Sequence, residues 1–277
     1  AKICWQMLVY NGDYVLEECL KSILPYGSVV ITEGPVGYFA NKGAVSSTDR
    51  TNEIFHGLID EKNIVHGIFA EKDEMMRAAE HLIPKDTTHV WMVDSDEIFS
   101  TEDIEFVLSQ LDEWDSVSFT PRTFWGDFKN TLGGFELEFV WYRIQRWHEG
   151  ASWKTHRPPT VLSQDGLPYH NYRHWNCPVS FSHFSYCFAR AVKMKSDYYA
   201  SRGGCIDNWF NEVWLRWMLG NNLIRQIIED EYQGVHEWLP QRRGDCRTVP
   251  FTGQHPKIIQ DAMPRLLERF ERELAEY

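Results

Sequence analysis

No apolar run in this 277-residue chain is longer than a strand, so no segment reads as a membrane span, which needs about 20 apolar residues. Closely spaced cysteines are missing too. The six present, Cys4, Cys19, Cys177, Cys187, Cys205 and Cys246, form no C-x-x-C pair, which argues against a zinc knuckle or a disulfide framework and for buried free thiols. Positive charge is scarce: 28 Lys and Arg face 40 Asp and Glu, a formal charge of −12. Nonspecific attraction to a nucleic-acid backbone is therefore not expected, because such binding depends on cationic side chains displacing counterions. If the ligand is a nucleotide, a metal ion is the natural source of positive charge. The chain also lacks a basic and apolar leader at Ala1, internal repeats and low-complexity tracts, and a cytosolic setting is expected.

What the chain does contain is an ordinary globular mixture, 43% hydrophobic and 25% charged. The runs at 3–9, 28–33, 63–70, 89–94 and 116–120 are short and rich in Val, Ile and aromatics, and read as buried strands. Between them, helical spacing is carried by Val15, Leu16, Leu20, Ile23 and Leu24, then Ile54, Phe55, Leu58 and Ile59, then Met75, Met76, Ala79, Leu82 and Ile83. A further helix is expected after Ser100, its cap, with Glu102 and Asp103 in the first turn. The alternation predicts an α/β fold: a mostly parallel sheet flanked by helices, followed by a mixed, aromatic-rich C-terminal region. Residues 121–190 loosen into turns, and helices return at 207–219 and from Met263, where Pro264 suits a first turn. The expected organisation is one continuous domain with halves 1–120 and 121–277.

The segment HVWMVDSDEIFS, residues 89–100, ends a strand-like run on Asp94, Asp96 and Glu97. In an extended chain, residues two apart point the same way about 7 Å apart, so Asp94 and Asp96 can approach one cation. Hard carboxylate oxygens suit Mg²⁺ or Mn²⁺. An isolated D-x-D is more often a solvated loop or a helix cap, and its surroundings decide its weight. Here VWMVDSDEIF resembles the D-x-D motif of GT-A fold glycosyltransferases, in which the acids hold a divalent metal against a nucleotide-sugar diphosphate. LVYNGDYVLEECLKSILPYGSVVITEG, followed by SSTDRTNEIF, is similar to the N-terminal signature of family 2 glycosyltransferases, over roughly residues 3–120.

The resemblance implies a nucleotide-sugar-binding half at 1–120. It places Tyr10, Asn11 and Glu33 at the nucleoside and Asp49 and Arg50 in the S-x-D-x-T element. Lys72 or Arg77 would lie near the phosphates, Asp94 and Ser95 at the donor, and Mn²⁺ or Mg²⁺ on Asp94 and Asp96. Where the family has two adjacent acids and a short loop, this chain has one acid and the insertion TEGPVGYFANKGAVSSTD, which leaves a UDP- or a GDP-sugar open. SFSHFSYCF resembles a late H-[FY]-x-[YF] segment, making His183 a third metal ligand, with His255 in TGQHP a weaker competitor.

The second half, 121–277, is then expected to bind the acceptor and complete the metal site. Residues 143–157 gather Arg143, Arg146, Lys154 and Arg157 with two histidines against one glutamate, and are expected on the phosphate or acceptor side. Of Trp125, Trp141, Trp147, Trp153 and Trp175, one or two are expected to face an acceptor sugar and the rest to be buried. A general base, needed for inversion, is offered by Asp127 or Asp207, and the sequence does not choose. The expected activity is metal-dependent transfer of a sugar to a hydroxyl of a glycan or other acceptor, with inversion. Two alternatives stay open: a sugar-phosphate nucleotidyltransferase, whose glycine-rich loop after strand one is absent from VYNGDYVLEE, and a non-catalytic carbohydrate-binding protein. Oligomeric state is not legible.

Overall fold

The computed structural model describes residues 1–134, 139–231, 235 and 247–277, and Cys246 lies outside them. In chain order the elements are β1 (Ile3–Val9), α1 (Leu16–Ile23), β2 (Ser28–Glu33), α2 (Gly37–Ala40), α3 (Thr51–Leu58), β3 (Ile64–His66), α4 (Lys72–Ala78), β4 (His89–Met92), β5 (Glu97–Ile98), α5 (Thr101–Gln110) and β6 (Ser116–Trp125). They continue as β7 (Asn130–Leu132), β8 (Trp141–Arg146), β9 (Trp153–His156), β10 (Pro159–Val161), β11 (His174–Tyr186), α6 (Ala189–Ala200), α7 (Arg216–Leu219), α8 (Asn222–Glu231), β12 (Thr248–Pro250) and α9 (Lys257–Leu274). The chain forms two compact units, residues 1–119 with 140–181, and residues 120–139 with 182–277.

The first unit is built on parallel pairing. β1 lies between β2 and β4, and β3 follows β2, all parallel. β8 adds antiparallel to β4, and the start of β6 adds antiparallel to β8. This is the α/β arrangement that the alternation of runs anticipates, and it is GT-A-like, as the motif resemblance implies. Helix α1 turns its apolar face, Leu16, Cys19, Leu20 and Ile23, into the core, where all four are buried. Ser100 caps α5 as expected, its Oγ accepting the Asp103 N–H at 3.1 Å. Within the sheet, Trp91 of β4 stacks on Trp5 of β1 at 4.2 Å and on Phe119 of β6 at 5.4 Å, so an aromatic row links three strands.

Some element bounds differ from the pattern. The run at 63–70 forms a strand only at residues 64–66 and pairs again at an isolated bridge from Phe69 to Val36, because at Gly67 the backbone closes on Gly34. In the second unit the expected helix at 207–219 is a π-helical turn, Phe210–Leu215, continued by α7. The last helix starts at Lys257 rather than at Met263, so Pro264 lies inside it. A single proline removes one i to i−4 bond, and the helix carries that loss through its buried face of Ile259 and Leu266. The core of this unit is tryptophan-rich, with Trp125, Trp209, Trp214 and Trp217 packed around Tyr186 and Val192. Two indoles have built-in acceptors: Trp214 donates to the Tyr186 carbonyl and Trp217 to Glu229, both at 3.0 Å.

Among the described residues no helix is long and apolar enough to cross a membrane. The five described cysteines are free, and only Cys205 is not fully buried. Burial pushes the thiols of Cys4 and Cys177 up to about 11, so these two are unreactive packing groups at neutral pH.

Candidate functional site

The acidic loop begins where β4 stops. Val93 still donates to the Gln6 carbonyl at 3.0 Å, and the three acids follow at the carboxyl end of a central parallel strand. Such acids repel one another unless a cation joins them, and one cation that joins them belongs to the chain. Arg143, on the adjacent β8, donates to Asp94 Oδ2 at 3.0 Å and also to Glu97 Oε1. The Arg143 side chain is 8% exposed and that of Glu97 is fully buried, while Asp94 keeps 36% of its surface. The guanidinium lies 4.9 Å from the Trp141 ring and 5.9 Å from Phe181, so its planar face is packed as well as its edge. Glu97 completes the clamp by accepting the Asp94 N–H at 3.3 Å.

Burial works to raise the Asp94 carboxyl, but Arg143 beside it holds it below the usual carboxylate range; Lys72 and Arg157 add to this and Asp96 opposes it. Asp94 is thus an anion pinned by a fixed cation. Among the described residues no group of three or more His, Cys, Asp or Glu is gathered as a metal cage. One or two carboxylates do fit Mg²⁺ or Mn²⁺ when substrate phosphates and water complete the shell, which is the usual way Mg²⁺ is held beside phosphates.

The turn after β1 is strapped to the S-x-D-x-T segment. Asn11 sits at φ 50°, a left-handed conformation that asparagine tolerates. Its N–H donates to Ser47 Oγ at 2.9 Å, Gly12 N–H donates to Thr51 Oγ1 at 2.9 Å, and Thr48 N–H returns to Asn11 Oδ1 at 2.8 Å. Asp49 accepts the N–H groups of Asp13 and Thr51, and Asp13 accepts that of Arg50. The Arg50 side chain pairs with Glu53 on an exposed helical turn. Ser95 packs under this turn so closely that a Cβ on Gly12 would lie 2.5 Å from Ser95 Oγ.

At the end of β2, Glu33 is fully buried, accepting from Ser47 N–H at 2.6 Å and facing His66 Nδ1 at 2.9 Å. Tyr10 stands beside it. Burial raises the Tyr10 hydroxyl, and the charges of Asp49 and Glu33 raise it further.

Of the two cations expected near the phosphates, Lys72 at the start of α4 acts on Asp94, whereas the charge of Arg77 bears on Asp73 and Glu80. The basic run 143–157 divides in the same way. Arg143 and Arg157 act on Asp94, while Arg146 pairs with Asp115 and is structural. His156 is tied to Asp73 by its own N–H at 2.8 Å and by Nδ1 at 2.6 Å. Of the tryptophans, Trp125, Trp147 and Trp153 are core, Trp141 carries Arg143, and Trp175 stacks on Trp114.

In the second unit His183 is buried on β11 with Nδ1 at 3.1 Å from Thr123 Oγ1. His255 donates to the Phe128 carbonyl at 2.9 Å and its ring packs on Phe124 and Phe251, a structural role. Asp127 caps a turn, accepting from Lys129 N–H at 2.7 Å and Asn130 Nδ2 at 2.8 Å. Asp207 is exposed in a turn ahead of the π-helical segment. Neither acid is singled out as a base. Sequence reasoning did not assign Arg143 to the acids, nor Ser47, Thr51 and Asp13 to the strap; only the charge anomaly of 143–157 pointed toward the first.

Neither a family model nor a curated protein matches the chain. Solved structures that resemble it include S. aureus TarS 1–349, at 18% identity over 45% of this chain and 36% of that one, with a TM-score of 0.31. The same TarS segment in complex with UDP-GlcNAc matches at 18% identity over 45% and 35%, TM-score 0.32. A TarS structure of greater length matches at 17% over 44% and 22%, TM-score 0.33. The chain therefore spans about a third or less of the TarS chains it resembles.

Proposed function

We propose that this chain is a metal-dependent glycosyltransferase that moves a sugar from a UDP- or GDP-sugar to an acceptor hydroxyl, with inversion at the anomeric carbon. The observation that carries the reading is the acidic loop Asp94 to Glu97 at the carboxyl end of a central parallel strand, clamped by Arg143 and acted on by Lys72 and Arg157. Parallel sheets bind ligands outside those strand ends. Acids alone would repel a diphosphate; acids neutralised by fixed cations and one divalent ion would receive it.

When bound through Asp96 and Asp94, Mn²⁺ or Mg²⁺ supplies charge neutralisation for the leaving diphosphate. The protein's share is positional. Arg143 keeps Asp94 ionised and oriented, and Lys72 and Arg157 add positive charge toward the phosphates, stabilisation that needs no reorganisation during transfer. Tyr10, Asn11 and Glu33 frame the nucleoside, Ser95 sits between the metal-binding acids, and Asp49 with Arg50 fixes the loop that backs them. Asp127 or Asp207 would take the proton from the attacking hydroxyl, and the aromatic second half would receive the acceptor, a glycan or another hydroxyl compound.

The test is release of nucleoside diphosphate from a panel of UDP- and GDP-sugars with Mn²⁺ and hydroxyl acceptors, with the product's anomeric configuration read by NMR. Turnover that is lost in Asp96→Asn and yields the inverted anomer is expected. Product with the donor's configuration overturns inversion. Formation of nucleotide sugar from a nucleoside triphosphate and a sugar phosphate, with no transfer, overturns the transferase reading.

A further inference from the structure

The hairpin of β9 and β10 is seated on α4 by a buried tryptophan. Trp153 Nε1 donates to Gln6 Oε1 at 2.6 Å and its N–H donates to Glu80 Oε1 at 2.6 Å, while Gln6 Nε2 donates to the Met76 carbonyl of α4 at 2.5 Å. At the end of β9, His156 meets Asp73 of α4. Its N–H donates to Asp73 Oδ1 at 2.8 Å and its Nδ1 lies 2.6 Å from the same oxygen, so the imidazole is fixed in one orientation.

These bonds to His156 hold the Asp73 carboxyl below the usual carboxylate range. An ionised carboxylate only accepts hydrogen bonds, so the proton of the neutral ring is on Nδ1 and Nε2 carries a bare lone pair. Nε2 has no hydrogen-bond partner among the described residues, and the side chain is 28% exposed. The charges that reach the ring are Asp73, Lys72 just before it, and Arg157 next in the chain; β10, Pro159–Val161, carries none. Burial lowers the His156 pKa, Asp73 opposes this, and Lys72 and Arg157 lower it further, so the ring of the free chain is neutral at pH 7. The same two cations act on Asp94. A strap between β9 and α4 needs only a donor where Nδ1 stands, which asparagine would also supply. Only histidine adds the second nitrogen.

We propose that His156 is a phosphate-binding residue: as the donor's diphosphate arrives, Nε2 takes a proton from solvent and donates it in a hydrogen bond to a phosphate oxygen. This rests on the nucleotide-sugar reading above and adds a linked proton to it. Phosphate oxygens are acceptors, so they repel the bare lone pair and attract the protonated ring. The incoming negative charge also offsets Lys72 and Arg157, two of the groups that keep the ring neutral. Asp73 stays ionised throughout and balances the new imidazolium.

Calorimetry of UDP and GDP with Mn²⁺ at pH 7 tests this on the full chain, in two buffers of unlike ionisation enthalpy, for the wild type and His156→Asn. The dependence of the heat on the buffer counts the protons taken up, and the variant, which keeps the strap, subtracts those of the nucleotide itself. The wild type is expected to take up about half a proton more than His156→Asn, and its affinity advantage should shrink about fivefold from about pH 6.5 to about 8.5. Ring ¹⁵N NMR of the wild type, which needs no variant to fold, should show one histidine Nε2 pass from bare to protonated when nucleotide is added. Equal proton uptake in the two proteins, or no histidine Nε2 gaining a proton on binding, overturns the inference while leaving the transferase reading in place. A wild type that binds neither nucleotide overturns both.

Discussion

Replacing Arg143 by methionine is the sharpest perturbation of the acidic loop. The guanidinium is 8% exposed and bonds two carboxylates, of which Glu97 is fully buried and Asp94 is 36% exposed. Removing one partner of a buried ion pair leaves the other charge uncompensated, at a cost of about 3–5 kcal/mol. The cost should come chiefly from Glu97, because solvent screens Asp94 in part. Adding Glu97→Gln removes that stranded charge while keeping an acceptor for the Asp94 N–H, so the double variant should recover about 2 kcal/mol. Arg143→Lys should recover less, since a single ammonium has no planar fork to span both acids or to lie flat on Trp141. Native-state hydrogen exchange at the β4 and β8 amides reads the effect where it arises and needs no two-state unfolding of a chain with two compact units. A loss below about 1 kcal/mol in Arg143→Met, or a double variant no more stable than the single one, would refute the idea that Arg143 is the buried counter-ion of this loop.

Two further outcomes follow from the same region. Gly12→Ala places a methyl 2.5 Å from Ser95 Oγ and 2.8 Å from Val9 Cγ2, so it should cost about 1–3 kcal/mol by overpacking. Ser95→Gly in the same chain should relieve part of that cost, and equal melting temperatures for the single and double variants would contradict the contact. His89 is buried and already satisfied, with Nε2 donating to the Trp114 carbonyl and Nδ1 beside Thr88 Oγ1, both at 3.0 Å. Burial lowers its pKa from 6.5 to about 4, and Arg146 contributes. The unfolded chain therefore binds the extra proton first, so this contribution is whole above pH 6.5 and is lost as pH falls toward 4, by about 3 kcal/mol at most. Urea titrations across that window should show the decline, and His89→Asn should flatten it; identical pH profiles would contradict the assignment.

Local periodicity reached the parts of the fold that depend on local periodicity. The buried runs at β1, β2 and β4, the apolar face of α1 and the Ser100 cap were all legible, and so was the end of β4 as the place for the acids. What escaped depends on pairing across long separations. Arg143 meets Asp94 from 49 residues away, and only because β8 adds antiparallel to β4, which no local pattern encodes. The insertion after β2 looked like an interruption because α2 is four residues long and its order comes from Gly34 passing Gly67. Pro264 misled for the opposite reason. Its preference for a first turn is real, yet burial of Ile259 and Leu266 extends α9 past it. Of the strap, only the S-x-D-x-T pattern was visible, as a resemblance; its hydrogen bonds to the turn after β1 join residues 36 to 39 apart, which no local pattern encodes.

The central claim, that the loop Asp94 to Glu97 receives a nucleoside diphosphate together with a divalent metal, is tested most directly by calorimetry of UDP and GDP with and without Mn²⁺, in the wild type and in Asp96→Asn. Binding that requires both Mn²⁺ and the Asp96 carboxylate is the predicted result. Binding of neither nucleotide, or binding unchanged by removing the metal and by Asp96→Asn, would contradict it.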